Sequence, residues 1–162
     1  MQELNKNKML EYAYKYALVP NKEFSYLGSK DNIGNDCSNF ISQILYFAGA
    51  PMRYASPHWY YKNHKDYSIS WATAHSLYWL LKENFKYSLQ GPKGRNISSS
   101  SITLGDLIFF QRKNGHIFHS AIITAFNKNG GPLITQHSIN ALNKNINPEY
   151  YLLNILYLRI YI

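Results

Sequence analysis

Apolar residues recur at helical spacing through the first part of the chain and in short, turn-bounded runs through the rest. This switch restricts the fold more than any other feature. From about Asn5 to Val19, Met9, Leu10, Ala13, Tyr16 and Ala17 fall on one helical face, and Pro20-Asn21 ends the pattern. A second helix is expected from Cys37 to about Ala48, with Phe40, Ile41, Ile44, Leu45 and Ala48 on one side. Gly49 stops it and Pro51 cannot continue it. An irregular aromatic stretch, Pro57-His58-Trp59-Tyr60-Tyr61, separates it from a third helix over about Thr73 to Asn84. The segment from Gly91 to Ser101 reads as a surface loop. Beyond it, Leu107–Phe110, His119–Thr124 and Leu133–His137 read as strands, with a hairpin turn at Asn127-Lys128-Asn129-Gly130-Gly131. Leu153 to Ile162 alternates as a final strand. Helices followed by strands predict an α+β fold, N-terminal helices packed on an antiparallel sheet.

A chain of 162 residues suffices for one domain with a real core. No stretch approaches the roughly 20 apolar residues of a membrane span. The first eight residues contain no apolar signal region, which leaves two expectations: a cytoplasmic protein, or a piece of a longer exported chain, secreted or wall-associated. The formal charge of +8 suits an anionic partner. Its Lys and Arg residues are scattered, and no nucleic-acid motif accompanies them, so a solvated basic surface or an anionic cell wall fits better than sequence-specific nucleic acid.

Cys37 is the only cysteine, which excludes an internal disulfide or a cysteine-rich metal site. It stands where a polar loop becomes an apolar helix. Unpaired N–H groups and the helix dipole favour a thiolate there and can hold a developing oxyanion. Asp36 is a good capping residue for such a helix start. A nucleophilic thiol needs a base. His119 opens an apolar strand, a rigid mount, and His137 ends the next one. If those strands pair across the Gly130-Gly131 turn, one histidine can orient the other. His58, His64, His75 and His116 have weaker contexts; His58 and His75 suit a groove. No metal-ligand spacing occurs, and no metal or cofactor is expected.

Asp36-Cys37-Ser38-Asn39-Phe40-Ile41-Ser42-Gln43, followed by Gly49-Ala50-Pro51-Met52, resembles the nucleophile motif of the bacterial "putative amidase" domains within the papain-like NlpC/P60 superfamily. Trp59-Tyr60-Tyr61 and Ser70-Trp71 resemble that group's aromatic segments. Gly105-Asp106-Leu107-Ile108-Phe109-Phe110 and His119-Ser120-Ala121-Ile122-Ile123-Thr124 resemble its histidine region. The match runs in order over roughly Leu10 to Ile139. Asn39, where the wider superfamily usually has Gly, favours the amidase subgroup. The resemblance implies a single papain-like domain over residues 1–162 and a monomeric Cys–His amidase or peptidase. Its substrate would be a peptide or peptidoglycan fragment. Cys37 would be nucleophile, His119 general base and His137 the third, orienting residue, with Gln136, Ser138 and Asn140 as alternatives. Tyr26 corresponds to a tyrosine that shapes the oxyanion site; Asp36, Ser38, Trp59 and Trp71 would complete the substrate site. An acyltransferase on the same fold, a non-catalytic wall-binding module and a charge-driven nucleic-acid binder are the competing readings.

Overall fold

The structure, a computed structural model, describes residues 1–28 and 36–162. Helix α1 (Lys6–Tyr16) starts at Asn5, whose side chain accepts from the Lys8 amide at 3.1 Å, and turns Met9, Tyr12 and Ala13 inward. It stops short of the expected Val19. Helix α2 spans Asp36–Phe47. A two-stranded ribbon, β1 (Tyr61–Asn63) and β2 (Asp66–Tyr67), follows from the aromatic stretch. The third helical region is divided into a single turn, α3 (Ile69–Ala72), and a longer helix, α4 (Ala74–Lys86), because Thr73 adopts an extended backbone between them.

Six antiparallel strands then form one sheet: β3 (Lys93–Ile97), β4 (Leu107–Gln111), β5 (Ile117–Phe126), β6 (Pro132–Gln136), β7 (Ala141–Asn145) and β8 (Asn154–Tyr161). Their spatial order is β3-β8-β4-β5-β6-β7, so the last strand inserts beside β4. The architecture is α+β with an antiparallel sheet, as expected, but the sheet differs in two additional strands and two shifted strand ends. Part of the loop expected over Gly91–Ser101 is strand β3, paired along its length with β8. The polar run Ala141–Asn145 is an edge strand. His119 is the third residue of β5 instead of its first. His137 lies just past the end of β6.

Both faces of the sheet are covered. Side chains alternate along β4, so Leu107 and Phe109 join the helices in the larger apolar cluster, while Ile108 and Phe110 join Ala121, Ile123 and Ile134 in a second one. Tyr150, in the short helical turn Pro148–Leu152, packs on that second cluster. Burial on two faces explains the unbroken apolar run Leu107–Phe110, which shows no polar alternation.

Helix α2 is the centre of the helical layer, with every residue from Asp36 to Leu45 buried. A helix buried all round must find partners for its polar side chains. Ser38 meets Ser120 of β5 at 3.0 Å, Ser42 donates to the Trp71 carbonyl at 3.0 Å and accepts from the Trp59 indole at 3.1 Å, and Gln43 accepts from Tyr12 at 2.8 Å. These bonds fix the rotation and axial position of α2 against α1, the Trp59–Trp71 segment and β5, and therefore where Cys37 sits.

Candidate active site

Cys37 is the second residue of α2, buried to 2% exposure, among the first-turn residues whose N–H groups have no partner within the helix. Asp36, expected to cap the helix, is its first residue; the residue before it lies outside the described residues. The Asp36 carboxylate instead lies beneath the helix start. It accepts from the Leu27 amide and from Asn39 Nδ2, each at 2.7 Å.

The titratable partner of Cys37 is His119, near enough that each shifts the other's protonation. His119 Nε2 lies 2.8 Å from Gln136 Oε1. The Gln136 amide has only one sensible orientation, because its Nε2 donates to the Ile139 carbonyl at 3.1 Å. Its oxygen therefore faces His119, the histidine donates from Nε2, and Nδ1 is left for the sulfur. Phe110 stacks near the same ring, with centroids 5.7 Å apart. The imidazole is thus held in one tautomer and one plane.

The electrostatics favour charge separation across the pair. Burial pushes the Cys37 thiol up. The hydrogen bond and charge of His119, with the Ser120 backbone and hydroxyl, outweigh it and hold the thiol below its ordinary range. For His119, burial acts downward. The bond and charge of Cys37 and the bond to Gln136 outweigh burial, so the imidazole lies above its ordinary range even with Lys144 nearby. A thiolate beside an imidazolium is an activated nucleophile with its acid already in place.

His137 stands apart from this pair. Its ring stacks on Phe40 with centroids 3.9 Å apart, its Nδ1 is bonded to Asp36, and its Nε2 donates to the Tyr16 carbonyl at 2.8 Å. Both ring nitrogens are committed to α1 and α2, so the expected contact between His137 and His119 is replaced by the one from Gln136. The expected substrate-site roles of Ser38, Trp59 and Trp71 also meet burial: all three are at 0% exposure. Trp59 and Trp71 pack against each other at 5.0 Å, and the Trp71 indole donates to Asn39 Oδ1 at 2.8 Å. They back α2 and line no cleft. Ser38 is buried between the Cys37 sulfur, 3.8 Å from its hydroxyl, and Ser120.

Two clefts meet at the Cys37–His119 pair, and Phe118 borders both. One, of about 410 Å³, is lined by His119, Gln136, Tyr26 and Ser138, with Tyr150 on its wall. Tyr26 keeps 40% exposure there, and its hydroxyl donates to Asn140 Oδ1 at 3.1 Å. Burial, with the Asp36 charge, holds the Tyr26 phenol above its ordinary range, so it remains a proton donor near neutral pH. The other cleft, of about 470 Å³, is lined by Cys37, the start of α4 and the β4–β5 turn. His75 and His116 lie in this second cleft; His58 lines a separate depression beside Tyr60 and Trp79. Among the described residues no group of three or more His, Cys, Asp or Glu side chains is arranged to hold a metal ion, and no helix is long and apolar enough to cross a membrane.

The family model described as "Putative amidase domain" matches residues 3–155. Two proteins of Bacillus subtilis (strain 168) are similar. "Uncharacterized protein YjcM" is 32% identical over 144 residues, covering 83% of this chain and 31% of that protein. "Uncharacterized protein YhbB" is 32% identical over 115 residues, covering 68% of this chain and 35% of that protein. The chain thus spans about a third of the length of these relatives. No solved structure matches it.

Proposed function

Because the chain belongs to the putative amidase domain family, we propose that it is a cysteine amidase of the papain-like, NlpC/P60 type, cleaving amide bonds in bacterial cell-wall peptides. The observation that carries the reading is the chain of contacts from Cys37 to His119 to Gln136, in which a buried thiol is drawn toward the thiolate and its base is locked in one tautomer. The formal charge of +8 suits an anionic wall.

In this reading the Cys37 thiolate attacks the amide carbonyl carbon. The carbonyl oxygen takes up the negative charge and is held by the Cys37 N–H at the helix start, with Tyr26 as a candidate second donor. The His119 imidazolium gives its Nδ1 proton to the amine nitrogen, the C–N bond breaks, and the acyl group stays on sulfur as a thioester. Neutral His119 then takes a proton from water. The hydroxide attacks the thioester, the acid leaves, and the thiolate–imidazolium pair is restored. Gln136 accepts from His119 Nε2 throughout and keeps Nδ1 turned to the sulfur.

Purified peptidoglycan and a panel of muropeptides, incubated with the protein and with Cys37→Ala, test this. Mass spectrometry should find fragments that have gained one water with the unaltered protein alone. Muropeptides left intact by a protein whose Cys37 alkylates rapidly would remove the wall as substrate, and hydrolysis retained in folded Cys37→Ala would remove the cysteine mechanism.

A further inference from the structure

The cleft beside Cys37 has a polar lining that the hydrolytic steps do not use. The turn between β4 and β5 is closed by two backbone bonds, Arg112 N to His116 O and Gly115 N to Arg112 O, each 2.9 Å. Arg112 and His116 therefore stand side by side at its base. The turn is fastened to α4: the His116 ring stacks on His75 at 5.2 Å and 17°, and the Ile117 amide donates to His75 Nδ1 at 3.2 Å. That bond occupies Nδ1 of His75 as an acceptor and leaves Nε2–H as a donor. The Arg112 guanidinium lies 4.6 Å from the centroid of the Phe118 ring, the residue that separates the two clefts.

The cation is thus oriented by an aromatic face, and among the described residues it has no carboxylate partner. No acidic residue lines this cleft among the described residues; Ile69, Ala72 and Ala74 supply its apolar part. A guanidinium against an aromatic face, an imidazole N–H and the Ser76 hydroxyl of the same lining form a donor set with no carboxylate among the described residues. Such a set matches an anionic group with planar oxygens. The leaving amine must lie on the His119 side to receive its proton, so the acyl portion extends into the cleft of Cys37.

We infer that the cleft formed by Arg112, His116 and His75 selects substrates whose acyl portion carries a carboxylate near the scissile amide. This rests on Cys37 being the nucleophile of the proposed reaction.

The test uses two alkylating reagents with the same electrophilic carbon, iodoacetylglycine and iodoacetylglycinamide, which differ in a terminal carboxylate or carboxamide. The thiolate displaces iodide from either and forms a thioether, and the single cysteine makes the mass readout unambiguous. The quantity read is the ratio of the two rate constants, acid over amide. It should fall by about fivefold in Arg112→Gln, the upper end of what one exposed ion pair contributes. Arg112→Lys, which keeps the charge, should retain part of the preference, and high salt should erase the difference between the unaltered protein and Arg112→Gln. A ratio unchanged in both Arg112→Gln and His116→Gln would overturn the inference. Slow alkylation by the neutral reagent would count against the nucleophile instead, so the two failures are separable.

Discussion

Gln136 bonds His119, while its neighbour His137 turns its ring onto Phe40 and Asp36, and the two side chains should fail in different ways when removed. Gln136→Ala leaves an N–H of His119 without its partner and frees the ring to turn, so turnover should drop by roughly ten- to a hundredfold, while the unpartnered donor, about 1–3 kcal/mol, should lower the melting temperature by several degrees. His137→Ala removes a hydrogen-bond partner of Asp36 and the ring stacked on Phe40, with the Asp36 and His137 side chains both 1% exposed. The cavity and the unpartnered polar atoms together should cost about 3 kcal/mol and lower the melting temperature by about 6–12 °C, read by thermal unfolding. The pair itself can be titrated through alkylation. Cys37 should react with iodoacetamide at pH values below the ordinary thiol range, and the profile should move to higher pH in His119→Ala, where only Ser120 is left to oppose burial of the thiol. The proposed nucleophile and base stand out in the sequence because a polar-flanked cysteine at a helix start and a histidine in an apolar strand each break a local pattern. The third residue does not. Adjacent positions at a strand end point to opposite sides, so a one-residue uncertainty in where β6 stops exchanges Gln136 for His137.

At the scale of elements, β3 and α2 show what periodicity conveys and what it omits. Lys93-Gly94-Arg95-Asn96-Ile97 has no apolar alternation and becomes a strand because β8 offers it a full ladder. Ala141–Asn145 is likewise polar, an edge strand supported by β6. Neither signal lies within the segment that forms the strand. Helix α2 presents the reverse case: its apolar face is plain, but Ser38, Asn39, Ser42 and Gln43 look like a solvated side until their buried partners are known. Gly94 marks how closely α4 lies on the sheet. A β-carbon there would come 2.9 Å from Leu81 Cβ and 2.8 Å from Leu158 Cδ1. Gly94→Ala should therefore destabilise the protein by about 1–3 kcal/mol in denaturant unfolding, with Cys37 alkylation retained below the transition.

Across the whole molecule, Asp106 joins parts that are far apart in sequence. Its carboxylate accepts from Arg159 Nη2 and from the Thr103 amide, each at 2.8 Å, and Lys6 Nζ lies at 3.0 Å. Burial raises its pKa, but those partners outweigh burial and hold it below the usual carboxylate range. A depressed folded value means that the stabilisation is complete at neutral pH and is lost as pH falls through that value, below about 4. Asp106→Asn should therefore be less stable by about 2 kcal/mol near pH 7, and thermal unfolding in acid should show the gap closing below about pH 4. The same region carries the chain ends. Gln2 N donates to Ile162 O at 2.9 Å, Ile162 N donates back to Gln2 O at 2.8 Å, and Leu4 N donates to Ile160 O at 2.9 Å. Residues 2 and 162 are thus fastened as a ladder rung fastens two rails, and the two ends of this segment lie side by side. A short linker could join them and a cut in the exposed hairpin tip at Asn129-Gly130 could open the chain there, yielding a circular permutant that retains every strand pairing of the sheet.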